Sequence, residues 1–254
     1  MNKILLAGGD SFTWGNELSD FTPDKPSNIS WAALLAKKLN YTYDCVAKAG
    51  CGNHAIARKI IERCDNTNVD FVAVMWTFPV RQELSIRSDL VKQGHDIELV
   101  KHELDGNWIN LVHWQGIDYE EKLSNFGEIS KDISFQKKLE HQCNWHKQTG
   151  IYDIARYWFN IASREYHDQI TLESIIVLQS YLEKHNIPFV FSSSTNQIFD
   201  LLNSDHPLAK IVNRNHWIAN IGFYDWAKIN GYKLSPMQHP EDRAHVDWIE
   251  NFYK

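Results

Sequence analysis

The chain has 254 residues, of which 43 % are hydrophobic and 13 % aromatic, and a net charge of −6 at neutral pH. That is enough apolar material for one sizeable α/β domain or two small ones, and it excludes a disordered or low-complexity chain. The acidic balance supplies no general field for a polyanion, so nucleic acid is not an expected partner.

The run from Lys3 to Ala7, closed by Gly8 and Gly9, reads as a strand buried on both faces of a parallel sheet. It is too short for a signal-peptide core, and no later stretch reaches about 18 apolar residues. A soluble, cytoplasmic protein with no membrane partner is therefore expected. Asn28 to Leu39 reads as a helix with Asn28 or Ser30 as N-cap and Trp31, Leu34, Leu35 and Leu39 on one face. Tyr43 to Ala47 is a second strand, Asn53 to Cys64 a second helix, and Asp70 to Trp76 a third strand.

After Trp76 the pattern breaks into polar, aromatic-dotted stretches, with "DGNW" marking a hairpin turn. Ser134 to Lys184 reads as helical, with breaks at "KQTG" and near Tyr166 to Gln169. "IPFVFSSSTN" is a fourth strand, and helical segments follow to about Ile229. The last helix is expected to carry Pro240 at its first position. The economical organisation is a single domain over 1–254, with an insertion at about 84–133 after the third strand.

Cys45, Cys51, Cys64 and Cys143 form no CxxC pair and no metal-site spacing, the pattern of a reduced intracellular protein. His141, Cys143 and His146 have no fourth ligand at a suitable spacing and read as a solvated helix face. Neither a metal nor an organic cofactor is expected.

In an open parallel sheet, the loops at the carboxyl ends of the strands converge on one edge, where ligands bind. Here those loops are "GGDSFTWG", "KAGCGN" and "WTFPVRQE", with "MQHP" before the last helix. Ester cleavage by a serine needs a hydroxyl, a base to take its proton and preformed N–H donors for the oxyanion. Ser11, His239 and the backbone of Ser11 and Gly50 are the residues that would supply them.

The chain resembles the SGNH or GDSL hydrolases on three of these stretches. Gly9-Asp10-Ser11 matches the family's first block and makes Ser11 the implied nucleophile. "AKAGCGNHAI" puts Gly50 at the second-block oxyanion glycine, with Gly52 competing for the role. "PMQHPEDRAH" matches the final His-Pro at His239 and Pro240. The resemblance implies a three-layer α/β/α, flavodoxin-like fold with a mostly parallel sheet, and a serine esterase or acetylesterase acting through an acyl-enzyme on Ser11. It also implies a small-molecule ester or an acylated carbohydrate as partner.

Two positions depart from the family pattern. "WTFPVRQE" carries no Asn at the third block, leaving Thr77 as the nearest oxyanion donor, and Pro236 stands where an Asp would orient His239. The tautomer of His239 must then be set by a main-chain carbonyl or by a carboxylate from a distant loop. A literal Asp-x-x-His occurs at Asp242 and His245. That spacing puts both on one helical face as an alternative acid/base pair. Asp10, Asn53 and Arg81 are candidate substrate contacts, although Asp10 also suits a backbone cap and Arg81 a salt bridge to Glu83. The alternative reading is a catalytically impaired module of the same fold that binds an acylated or glycosylated ligand or a protein partner.

Overall fold

The computed structural model describes residues 3–125 and 131–253. It opens with strand β1 (Ile4–Gly8), a single-turn helix α1 (Ser11–Trp14) and helix α2 (Trp31–Leu39). Strand β2 (Thr42–Cys45), helix α3 (Asn53–Asn66) and strand β3 (Phe71–Trp76) follow. Next come β4 (Gln82–Ser85), α4 (Ser88–His95), β5 (Leu104–Asp105) and β6 (Trp108–Leu111). Three helices, α5 (Tyr119–Ser124), α6 (Ile133–Gln148) and α7 (Ile151–Ile161), lead to the long α8 (Arg164–Lys184). The chain ends with β7 (Phe189–Ser193), α9 (Asn196–Leu202), α10 (Phe223–Ile229) and α11 (Asp242–Phe252).

These elements form two compact units, one made of residues 1–79 with 167–254 and the other of residues 80–166. In the first unit, β2, β1, β3 and β7 make a sheet in that order with every pairing parallel. This is the strand order of flavodoxin-like folds. Successive side chains of a strand point to opposite faces, and the core divides accordingly. Leu5, Ala7, Ala73 and Met75 pack with Trp31, Leu35 and Trp248 on one face. Leu6, Val72, Val74 and Trp76 pack with Ile56, Ile60, Leu172 and Ile175 on the other. Helices α2 and α11 thus cover one side and α3 and α8 the opposite one, which is a three-layer α/β/α sandwich.

The second unit holds a three-stranded antiparallel sheet in the order β4-β6-β5. The "DGNW" turn joins β5 to β6, with Gly106 at φ 58°, a left-handed conformation that glycine adopts without steric cost. Ile86, Val100, Leu104, Ile109, Trp145 and Ile151 form its own core. The boundaries expected for the inserted segment, 84 and 133, both fall inside this unit, and residues 126–130 lie outside the described residues.

Three local expectations are corrected. The second helical break falls at Ala162 and Ser163, because the Ser163 hydroxyl accepts from the Tyr166 N–H and opens α8. Pro240 precedes the N-cap Glu241 and pairs with Leu234 in an antiparallel bridge, so it closes a hairpin instead of starting α11. His141, Cys143 and His146 do not share a solvated face: His141 is exposed, while Cys143 and His146 are buried, and His146 Nε2 lies 2.7 Å from Glu103.

Candidate active site

Strand β1 delivers Ser11 to the carboxyl edge of the sheet. Asp10 is the N-cap of α1, accepting the Phe12 N–H at 3.0 Å, so Ser11 becomes the first helical residue directly after the strand. Gly9 is required by packing, since a Cβ there would lie 2.1 Å from Thr13 Oγ1. Thr13 in turn accepts from Trp31 Nε1 at 3.1 Å, which fixes the turn against α2. Ser11 itself is 7 % exposed.

His239 arrives on a tight hairpin. The Ser235 N–H donates to the His239 carbonyl at 2.8 Å, the Gln238 N–H to the Ser235 carbonyl at 2.9 Å, and Gln238 takes φ 66°. A turn closed by a left-handed third residue is a standard three-residue hairpin loop, though glycine is its usual occupant. The imidazole Nε2 lies 2.9 Å from Ser11 Oγ, and Nδ1 lies 2.6 Å from Glu17 Oε2. An ionised carboxylate can only accept, so Nδ1 carries the proton and donates to Glu17. Nε2 is then the lone-pair nitrogen that accepts the hydrogen bond of the Ser11 hydroxyl.

Glu17 is the residue that sequence reasoning missed. It sits six positions after Ser11, at φ 62°, just past Gly15, the left-handed C-cap of α1. It is separated from His239 by 222 positions, so no local motif links the two. Its carboxylate makes the contact to His239 Nδ1 that was expected of an Asp at position 236. Burial pushes the Glu17 carboxyl up, but hydrogen bonds from Ser235 and His239, the charge of His239 and the Met237 N–H outweigh it. The group therefore titrates below its ordinary value.

Gly50 occupies the third position of a turn closed by Cys51 N–H to the Lys48 carbonyl at 3.1 Å, with φ 77°, as a type II turn demands. The Lys48 N–H donates to the Gly9 carbonyl at 3.2 Å, which holds this turn against the loop that carries Ser11. No hydrogen bond among the described residues uses the N–H of Ser11 or of Gly50. Gly52, the competing glycine, is the N-cap of α3.

Thr77 is not available as an oxyanion donor. Its hydroxyl donates to Asp10 Oδ2 at 2.7 Å and its N–H to Asn53 Oδ1 at 2.8 Å. Asp10 and Asn53, expected as substrate contacts, are almost fully buried and serve this network. The Asn53 amide also donates to the Thr77 carbonyl at 3.0 Å and to Thr171 Oγ1 at 3.2 Å. Arg81 is half-buried in the second unit.

The alternative pair does not form. Asp242 accepts from the Ser19 N–H and hydroxyl. His245 accepts the Trp31 N–H on Nδ1 at 3.0 Å and therefore donates from Nε2 to the Pro240 carbonyl at 3.2 Å. Burial pushes the His245 imidazole down to about 3, so it is a neutral core residue. Among the described residues, no group of three or more His, Cys, Asp or Glu is placed to hold a metal ion, and no helix is long and apolar enough to cross a membrane.

No protein-family model matches the sequence, and no curated protein does. Solved structures are similar to the chain over nearly its whole length. One is a member of the lipolytic protein G-D-S-L family from Veillonella parvula, at 13 % identity and TM-score 0.33, covering 99 % of this chain and 98 % of that one. Another is an acetyl xylan esterase from the rumen bacterium Butyrivibrio proteoclasticus, at 12 % identity and TM-score 0.40, covering 99 % of this chain and 65 % of that one. A third is a family two carbohydrate esterase from Clostridium thermocellum in complex with cellohexaose, at 13 % identity and TM-score 0.33, covering 98 % and 61 %.

Proposed function

We propose that the protein is a serine ester hydrolase working through Ser11, His239 and Glu17. The observation that carries this reading is the unbroken line from Ser11 Oγ to His239 Nε2 at 2.9 Å and from His239 Nδ1 to Glu17 Oε2 at 2.6 Å. Ser11 attacks the ester carbonyl while His239 takes its proton, and the Glu17 carboxylate stabilises the imidazolium that results. His239 then returns the proton to the departing alcohol, leaving an acyl-serine. Water, deprotonated by the same imidazole, releases the acid.

The N–H groups of Ser11 and Gly50 are the proposed oxyanion donors; each is worth about 3 kcal/mol when aimed at the developing charge. A small ester or an acylated carbohydrate is the proposed substrate class. The impaired-module alternative rested on two missing family residues, the Asn after the third strand and the Asp at position 236; Glu17 answers the second, and the N–H groups of Ser11 and Gly50 are left to serve the oxyanion without the first. Turnover of an acetyl ester of nitrophenol by the wild-type protein and by Ser11→Ala tests the proposal. Wild-type turnover that Ser11→Ala abolishes supports it, and equal rates in the two proteins reject it.

A further inference from the structure

The carboxylate in this site reaches its histidine from the other end of the chain, and something must hold it there. Glutamate has three side-chain torsions, the last of them broad, so an unsupported carboxylate would sample many orientations. Among the described residues, the side chains that hydrogen-bond Glu17 are His239 and Ser235. Ser235 is 5 % exposed. A serine hydroxyl has one proton to give and two lone pairs. Here the proton goes to Glu17 Oε2 at 2.5 Å, the same oxygen that accepts from His239, and a lone pair accepts the His239 N–H at 3.0 Å. The Met237 N–H reaches the other carboxylate oxygen at 3.3 Å.

The neighbouring charges have partners of their own. Lys233, Glu241, Asp242 and Arg243 line a cavity of about 460 Å³ together with Glu17. Lys233 pairs with Glu241 at 2.9 Å and Arg243 with Asp247 at 2.7 Å, while Asp242 holds Ser19.

We propose that Ser235 is a positioning residue of the site: by bonding Glu17 and the His239 backbone at once, it locks carboxylate and base-bearing turn into the arrangement that aims His239 at Ser11. This rests on the hydrolase reading given above and adds to it a residue that touches neither substrate nor nucleophile.

The test compares wild type with Ser235→Ala and Ser235→Thr, the second of which keeps the hydroxyl. In Ser235→Ala, kcat falls about tenfold with KM within about twofold, the scale of one lost hydrogen bond to a charged group. The acidic limb of the kcat/KM profile moves to higher pH, because an ionised Glu17 deprived of its hydroxyl donor accepts more strongly from the imidazolium and favours the protonated base. Ser235→Thr restores both. In the proton NMR spectrum, the downfield resonance of the His239 Nδ1 proton broadens in Ser235→Ala through faster exchange with water.

A fall in kcat with an unmoved limb and an unchanged Nδ1 resonance would reduce Ser235 to a structural residue and overturn the proposal, as would wild-type behaviour throughout. If the wild-type protein shows no Ser11-dependent turnover, the hydrolase reading fails instead. The Nδ1 resonance then decides the role of Ser235 alone.

Discussion

The first unit contains His239 paired with Glu17 at 2.6 Å, and the second contains His146 paired with Glu103 at 2.7 Å. The two pairs have almost the same length and opposite surroundings. The His239 side chain keeps 15 % of its surface open, and its far nitrogen meets a serine hydroxyl at a strand exit. His146 is fully buried, and its far nitrogen has no hydrogen-bond partner among the described residues. Glu103 is also engaged by Gln142 at 2.8 Å, within a polar cluster that ties α6 to the segment before β5. The comparison teaches that a histidine–glutamate pair is not a site in itself. Proton transfer to a substrate requires a third group in line and a way in, and only one of these pairs has the third group.

That contrast is broken most directly at His239. Replacing it with Ala should lower kcat by about 10⁴-fold or more while costing only about 1 to 3 kcal/mol of stability, for the lost bonds of a mostly buried ring. A steady-state assay with a melting curve reads both. Glu17→Gln keeps the size of the side chain and removes the charge, and the loss expected in kcat is about 10³ to 10⁴. Glu103→Gln should leave turnover per folded molecule within about twofold. If Glu103→Gln inactivates and Glu17→Gln does not, the assignment of the two pairs is reversed.

His245 sharpens the comparison from within the first unit. It is buried in the core that joins α2 to α11, with both ring nitrogens bonded to main chain. His245→Ala should cost about 3 kcal/mol of stability in chemical denaturation through a cavity and two lost hydrogen bonds, with turnover of the folded fraction retained. His146→Ala should cost about 2 kcal/mol, through the space left by a fully buried ring and the loss of one of the bonds to Glu103.

A further effect falls on the pH dependence of stability. His245 titrates far below its ordinary value when folded, so the unfolded chain binds a proton that the native state refuses as pH falls below about 6.5. Stability is therefore lost progressively as pH falls from there toward the folded value near 3. Glu17 has a lowered folded value, so the stability it adds is complete above the ordinary carboxylate range and is lost as pH falls through that lowered value. Urea unfolding from pH 7 to pH 4 should show the His245 slope, and His245→Asn should flatten it.

Much of the fold was legible because buried parallel strands are written as apolar runs: β1 and β3 appear in the sequence within a residue of their observed bounds, and β7 occupies the middle of the longer run read from Ile187 to Asn196. Ser11 and His239 were legible because each belongs to a short local pattern, Gly-Asp-Ser and His-Pro. Glu17 was not, because its role depends on a contact across 222 positions and on a left-handed backbone that glutamate does not advertise. The Thr77 expectation failed for a related reason. Whether a donor is available depends on who already accepts from it, and Asn53 and Asp10 approach Thr77 only in the folded chain.

Ser11 is proposed here as a nucleophile activated by His239. Treatment with a fluorophosphonate followed by peptide mass spectrometry tests it without any knowledge of the substrate. The expected result is a single phosphonylated serine at position 11, formed at a rate that drops about a hundredfold or more in His239→Ala, in keeping with the loss of the general base. A protein that stays unmodified while a control esterase is fully labelled, or one labelled on a serine other than Ser11, would contradict it.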